Sequence, residues 1–592
     1  MLEPERFRDR RLHALLAASL WLAACSTSTD IANTQAATSS PAPGWPHGAM
    51  VSAANPAAVD AAIGVLERGG HAVDAAIAAH VVLGLVEPES SGIGGSAFML
   101  VHDRTSGRTV VFDGRETAPG GARADMLTKN GEPQDFRSLW PQGVTVGVPG
   151  AVSVYEAAHR EFGRADWADL FTPAIRLATD GFTVSEKFVR YNEMLRPVIE
   201  SGAFPDAAAY LFPEGVPVAA GDTKVNPAYA ETLRRIVADG AAGFYTGTLA
   251  AAIVARARQA PAASSMTLDD MAAYETMPRA PVCGTFRRST ICSVPPPSSG
   301  LAQIMIPALY DEMQTDEDAS LDEKLVVFVD AQRLAYADRD HFVGDPDFAD
   351  VPVEQLIDSD YIRHRATERF APADTPTHGD PFFVTELDKA AWLRGTDRTM
   401  EAAGTTHLSI IDRDGNAVSM TASVGFPYGS VRMTNGFFLN NELTDFSQAP
   451  TAGAAPAVNA VAPRKRPRSS MSPTIVFDAN GDPLMLTGSA GGSSIVAYTA
   501  KTVLGVFDWG LSAQSAVDFP NIVARGAAVG VEVSASGGQA IADDLTERGY
   551  AVSEGRGENS GLHVIVVRAD GMEGAADSRR HGTVKAIPAA PK

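Results

Sequence analysis

Gly404-Thr405-Thr406-His407-Leu408-Ser409-Ile410-Ile411 is the stretch from which the fold of this chain is read. Leu408 and Ile410 alternate with His407 and Ser409, the period of two of a β-strand with one apolar face. Asp412-Arg413-Asp414-Gly415-Asn416 supplies turn chemistry, because Gly and Asn tolerate positive φ. Ala417-Val418-Ser419-Met420-Thr421 reads as the returning strand. Taken alone, this is an ordinary hairpin.

Downstream, Thr474 to Phe477 and Leu484 to Thr487 read as strands around an Asn480-Gly481 turn. Gly488 to Gly492 is a tight turn into a helix from Ser493 to Phe507, and an α/β segment closes near Arg568 with a frayed tail expected beyond it. Upstream, Val59, Ala62, Ile63 and Leu66 have helical spacing, stopped by Gly69-Gly70. Val73 to Leu85 is a second helix, apolar on all sides and so expected to be buried. Pro88 to Gly95 is a glycine-rich loop, but its spacing is wrong for GxGxxG and it follows a helix. Phe98 to His102 and Thr109 to Phe112 read as strands. From Val144 to about Phe370 helical spacing dominates, as in Ala151–Glu161, Leu170–Thr179, Ala228–Ala238 and Gly247–Arg258. Val294 to Gly300 reads as a rigid entry followed by a helix cap. Residues 372–404 are polar and read as a loop running to the Gly404–Thr405 bond.

With 592 residues, the chain is long enough for two domains or one large layered unit. A hydrophobic share of 45% is globular, and a net charge of −22 argues against a general nucleic-acid role. Cys283 and Cys292 flank an Arg287-Arg288 turn that sets them opposite each other, either as a disulfide or as two buried thiols. No CxxC or His/Cys cluster points to a metal.

The first 24 residues have signal-peptide grammar: Arg6, Arg8, Arg10 and Arg11, then a short apolar run from Leu12 to Leu22. Leu22-Ala23-Ala24-Cys25 resembles the lipobox of bacterial lipoproteins, which implies lipidation at Cys25. Residues 25–45 then read as a flexible tether. An exported protein, periplasmic or cell-surface, touching the membrane only through this anchor, is the expectation.

Gly404-Thr405-Thr406-His407 with Asp414-Gly415-Asn416-Ala417-Val418 resembles the start of the small chain in γ-glutamyltranspeptidases, which are N-terminal-nucleophile hydrolases. The likeness continues in order through Leu439 to Phe446, Lys465 to Thr474 and Thr487 to Ser493. Phe112-Asp113-Gly114-Arg115-Glu116-Thr117-Ala118-Pro119 resembles the family's arginine motif, and Ala335–Arg339 with Gly344–Asp347 resemble its scaffold. The resemblance implies an α/β fold, a four-layer αββα sandwich. It also implies self-cleavage at Gly404–Thr405, pairing a large chain (46–404) with a small catalytic one (405–592). The substrates implied are γ-glutamyl amides such as glutathione, with water or amino acid and peptide amines as acceptors. No metal or organic cofactor is implied.

A threonine hydroxyl needs a base beside it. Cleavage before Thr405 frees an α-amine on the same residue, whose ordinary pKa of about 7.7–8.0 suits that task. Gly404 has no side chain to hinder attack by that same hydroxyl. By the resemblance, Gly491 and Gly492 offer backbone N–H groups to the oxyanion and Ser423 is a hydroxyl near the nucleophile. Arg115 grips the α-carboxylate, a task its planar fork suits. Ser469 and Ser470 help it, and Glu442 and Asp445 accept the α-ammonium.

Two departures bear on the substrate. Gly425 stands where the family usually has an Asn that contacts the α-amino group, and Pro450 to Arg464 is a short lid without tyrosine. Both resemble relatives of the cephalosporin-acylase type, which take glutaryl groups. Such an acylase is one alternative, and a non-catalytic cell-surface binding protein is the other. The presence of Arg115, Glu442 and Asp445 favours an aminated acyl group, since paired acids need a cation.

Overall fold

The hairpin forms the middle of a seven-stranded antiparallel sheet in the computed structural model, which describes residues 44–316, 318–382, 394–453, 455–555 and 560–589. The leader (1–24), Cys25 and all but the last two residues of the tether lie outside the described residues. Strands β1 (Ala49–Ala53), β2 (Ser96–Asp103), β3 (Arg108–Asp113), β4 (Met277–Arg279), β7 (Gly404–Ile411), β8 (Ala417–Gly425) and β13 (Thr583–Ile587) run in the order β13-β1-β7-β8-β2-β3-β4. A second antiparallel sheet holds β5 (Val282–Phe286), β6 (Ser289–Ser293), β9 (Thr474–Phe477), β10 (Pro483–Thr487), β11 (His563–Arg568) and β12 (Gly571–Ala576), ordered β12-β11-β10-β9-β6-β5.

Alternation along β7 and β8 decides what each face meets. Leu408, Ile410, Val418, Met420 and Ala422 pack with α1 (Pro56–Glu67), α2 (Ala72–Val86), α3 (Ala151–Phe162) and α4 (Trp167–Asp180). Each of these side chains larger than alanine contributes roughly 1.5–3 kcal/mol on full burial. The whole of α2 is buried, as its all-round apolar sequence requires. On the far side, Val476, Met485, Val564 and Val566 pack with α5 (Gly300–Met313), α6 (Leu321–Phe342) and α7 (Ile495–Phe507). Met50, Phe98, Leu100 and Ile411 meet Ile475, Leu486 and Ile565 between the sheets. The result is the four-layer αββα sandwich.

The inner face of the hairpin is polar. Thr405 stands opposite Ser423, His407 opposite Thr421 and Ser409 opposite Ser419. Ser409 Oγ donates to the His563 carbonyl at 2.9 Å and Ser419 Oγ to that of Thr487 at 3.2 Å, which joins the two sheets. A net gain of about 1 kcal/mol per bond is usual, but leaving such a buried group unpaired costs more, so the pairing fixes register as well as stability.

Two expectations change. The tail is not frayed: β13 pairs antiparallel with β1, Ile587 opposite Ala49. Its lead-in holds buried Asp577, whose Oδ1 lies 3.1 Å from Arg579. Ser299 does not cap its helix; its hydroxyl donates to the Ser469 carbonyl at 2.6 Å. The loop from Pro88 to Gly95 is packing machinery, since a Cβ on Gly95 would stand 2.0 Å from the Ser423 carbonyl oxygen. The open choice at the cysteines resolves to a disulfide, with Cys283 opposite Cys292 in the β5–β6 register.

Candidate active site

Thr405 lies at the start of β7, 2% exposed, its peptide bond to Gly404 uncut and a register irregularity between the two residues. A Cβ on Gly404 would meet the Gly425 carbonyl oxygen at 2.2 Å, so the approach of β8 leaves room there for glycine alone. Ser423 binds both sides of the junction. Its Oγ donates to the Gly404 carbonyl at 3.0 Å, accepts from the Gly425 N–H at 2.8 Å, and lies 3.5 Å from Thr405 Oγ1. Arg580 Nη1 donates to the Thr405 carbonyl at 3.1 Å.

The turn after β10 comes up beside this junction. Gly491 and Gly492 have φ of +137° and +55°. The Glu401 backbone is clamped there: its N–H donates to Ser493 Oγ at 2.8 Å and its carbonyl accepts from the Ser493 N–H at 3.3 Å. Residues 401 and 402 thus lie against the glycine pair, with the Glu401 carbonyl 2.3 Å from where a Gly492 Cβ would stand.

Arg115, carried just past β3, is buried among acids. Nη1 donates to Glu442 at 2.5 Å, Nη2 to Asp445 at 2.6 Å and to the Arg468 carbonyl at 2.9 Å, and Nε to the Pro467 carbonyl at 3.2 Å. Four of its N–H groups are therefore spent, and a two-pronged grip on a substrate carboxylate is not open to it in the uncut chain. Glu116 approaches the same guanidinium at 3.6 Å. Burial and the nearby Glu442 push the Glu116 and Asp445 carboxyls well above the usual range, only partly offset by Arg115. One cation against three acids makes this pocket a receptor for positive charge.

Ser470 and Ser469 sit where residues 465–474 pass beneath the junction. Ser470 Oγ donates to Glu401 Oε2 at 3.1 Å and accepts from Arg339 Nη2 at 2.8 Å. Ser469 Oγ accepts from the Met471 N–H at 3.1 Å and is turned to its own loop. The sequence-derived set thus divides into three groups: Thr405, Ser423 and Gly404; Gly491 and Gly492, with Ser470 reaching the same Glu401 that lies against them; and Arg115, Glu442 and Asp445.

Sequence reading missed Glu401, Arg339, Arg468 and Ser493. Arg339 was given a scaffold role, yet its guanidinium pairs with Glu401. Only the close spacing of the charges in Lys465-Arg466-Pro467-Arg468 hints at the second arginine. At the departure from the family pattern, Asn441 fills the space beside Gly425 and its Oδ1 accepts from the Phe426 N–H at 2.7 Å. Among the described residues no His, Cys, Asp and Glu cluster is arranged to hold a metal.

The family model described as Gamma-glutamyltranspeptidase matches residues 58–587. The glutathione hydrolase proenzyme of Bacillus subtilis (strain 168) is 34% identical over 486 residues, covering 80% of each chain. That of Escherichia coli (strain K12) is 33% identical over 490 residues, again 80% of each. Among solved structures, cephalosporin acylase from Bacillus halodurans aligns with a TM-score of 0.80 at 26% identity, covering 94% of this chain and 100% of the other.

Proposed function

The chain belongs to the gamma-glutamyltranspeptidase family, and from that premise we propose that it is a self-processing γ-glutamyltranspeptidase and glutathione hydrolase. One observation carries the reading: the Ser423 hydroxyl sits on the carbonyl oxygen of Gly404, next to the Thr405 hydroxyl. Thr405 Oγ1 attacks the Gly404 carbonyl carbon while Ser423 stabilises the oxygen. The C–N bond breaks, the acyl group passes to Oγ1 as an ester, and water hydrolyses it. The large chain then ends at Gly404, and Thr405 gains a free α-amine.

In turnover that amine takes the proton of Thr405 Oγ1, which attacks the γ-glutamyl carbonyl. Gly491 and Gly492 N–H groups receive the oxyanion. The leaving amine takes the proton, and water or an acceptor amine releases the acyl group. Glu442 and Asp445, fixed by Arg115, hold the α-ammonium; Ser470, the remaining Arg115 N–H and the Ser469 hydroxyl, once turned from its own loop, take the α-carboxylate. Residues 46–404 and 405–592 stay together as two chains. Among the described residues no helix is long and apolar enough to cross a membrane; export with a lipid anchor at Cys25 is part of the proposal.

The test is intact mass beside Thr405→Ala, then hydrolysis of γ-glutamyl and glutaryl anilides. Fragments beginning at Thr405 in wild type alone, with preference for the γ-glutamyl anilide, are expected. An uncut wild-type chain overturns self-processing. Preference for glutaryl moves the enzyme to the acylase reading, which Gly425 and the likeness to cephalosporin acylase favour.

A further inference from the structure

Arg256 and Arg432 take no part in the chemistry above, yet both are buried, 6% and 0% exposed. Arg256 stands in the last turn of the helix Gly247–Ala257, where a helix C-terminus suits a cation. Arg432 leads into the ribbon made by Met433–Thr434 and Phe437–Phe438.

The two guanidiniums converge. Arg432 Nη2 donates to the Pro261 carbonyl at 2.9 Å, and Arg256 Nη1 donates to Gln259 Oε1, two residues earlier. On the other flank the Arg432 guanidinium lies 5.6 Å from the Phe204 ring centroid, and Arg256 Nη2 lies 3.7 Å from Asp206. Both are thus held between the same two short segments, 204–206 and 259–261.

Their hydrogen bonding is half made. Nε and Nη1 of Arg432, and Nε and Nη2 of Arg256, are buried without a hydrogen-bond partner among the described residues. On Arg256 these two atoms form one edge of the guanidinium, the fork that fits two oxygens of one ligand. The charges are no better matched. Asp206 approaches Arg256 alone, its side chain is 62% exposed, and it stops short of a hydrogen bond. Burial, and then the charge of Arg256, push the Arg432 guanidinium down to about 10, with no acid to offset them. The Phe204 ring face attracts a cation but brings no counter-charge. Two like charges buried together call for an anion.

We infer that Arg256 and Arg432 form a binding site for a small inorganic oxyanion of the phosphate or sulfate class. Arg256 offers its open fork and Arg432 its Nε and Nη1 hydrogens. A tetrahedral oxyanion has acceptors for all four atoms, whereas a halide presents a single centre. The anion ties the large-chain segments 204–206 and 256–261 to the small chain at Arg432. The Arg432 carbonyl accepts from the Leu439 N–H at 2.8 Å, so the tie also braces the loop that ends at Glu442 in the acidic pocket. The inference goes beyond the proposed activity and stands whether or not the chain is cut.

Equilibrium dialysis against radiolabelled sulfate tests it on the full Thr405→Ala chain, in which Glu401 still occupies the active-site arginines. One equivalent bound per chain is expected, displaced by phosphate. Arg256→Met and Arg432→Met are each expected to weaken it about tenfold or more, the worth of one hydrogen bond to a charged group. Asp206→Asn, which removes the acid competing for the Arg256 fork, is expected to tighten it several-fold. No binding, or binding that survives both arginine substitutions, overturns the site. Displacement by chloride as readily as by phosphate overturns the oxyanion assignment. If Arg432→Met does not fold, Arg256→Gln carries the test by melting. Sulfate is expected to raise the melting temperature of the parent chain more than that of Arg256→Gln, each measured against sodium chloride of equal ionic strength. Equal rises overturn the inference.

Discussion

Ser423 Oγ lies 3.0 Å from the Gly404 carbonyl oxygen, so the bond that has to break is polarised by the same hydroxyl that faces the nucleophile. The Gly425 N–H, 2.8 Å from Ser423 Oγ, occupies one lone pair and turns the hydroxyl hydrogen toward Gly404. Ser423→Ala removes that donor. By comparison with single oxyanion donors, worth about 2.7–4 kcal/mol, self-cleavage slows by roughly a hundredfold or more. Ser423→Thr keeps most of the rate. Fragment mass followed over time measures it, and an unchanged rate in Ser423→Ala would remove Ser423 from the cleavage step.

Gly404 answers to space rather than to chemistry. A Cβ there would meet backbone, the Gly425 carbonyl oxygen at 2.2 Å, so no rotamer relieves the clash. Gly404→Ala displaces β7 from β8 at the register irregularity and carries Thr405 away from Ser423. Cleavage is lost or greatly slowed. In the uncleavable Thr405→Ala background the same change destabilises by about 1–3 kcal/mol, the usual cost of overpacking. Thermal melting of the two uncut chains separates the steric cost from the catalytic one.

The acidic half of the site sets the preference for an amine. Asp445→Asn leaves Arg115 a neutral partner and weakens the hold on an α-ammonium. A hydrogen bond to a charged group is worth roughly 1.5–3 kcal/mol, so kcat/KM on γ-glutamyl anilide falls about ten- to a hundredfold. Glutaryl anilide, which has no amine, is expected to be affected less. Equal losses on both substrates would mean that Asp445 acts only by ordering Arg115.

The hairpin from Gly404 to Thr421 was legible because its alternation is strict on one face and its turn residues are specific. The helices were legible for the same reason, since 3.6-residue spacing is a local property. The αββα order was legible through family motifs rather than periodicity, because the inner faces of β7 and β8 carry Ser, Thr and His where a buried sheet ordinarily reads apolar. Two things were not legible. Thr583 to Ile587 has only Val584 and Ile587 as strong apolar residues, and its place beside β1 depends on a partner more than 500 residues away. Arg339 and Glu401 form a pair whose members are 62 residues apart, and no spacing rule connects them.

Buried histidines make stability depend on acid. Burial pushes His80 and His563 down to about 3 and His102 to about 4, so all three stay neutral in the folded chain where unfolded histidines protonate. The unfolded state then binds more protons between pH 6.5 and about 4, and stability falls as pH falls through that window, by up to about 1.4 kcal/mol per unit per histidine. Glu116 and Asp445 act in the opposite sense. Their raised carboxyls take up protons in the folded state first, which favours folding on acidification above the ordinary carboxylate range. A net slope therefore mixes the two, and a difference between variants isolates one. His80 Nδ1 lies 2.6 Å from the Tyr155 hydroxyl, so the pair is replaced together. His80→Leu with Tyr155→Phe, in the Thr405→Ala chain, is expected to flatten the dependence of denaturant midpoint on pH between 6.5 and 4. A parallel curve, merely shifted up or down, would place the acid sensitivity elsewhere in the fold.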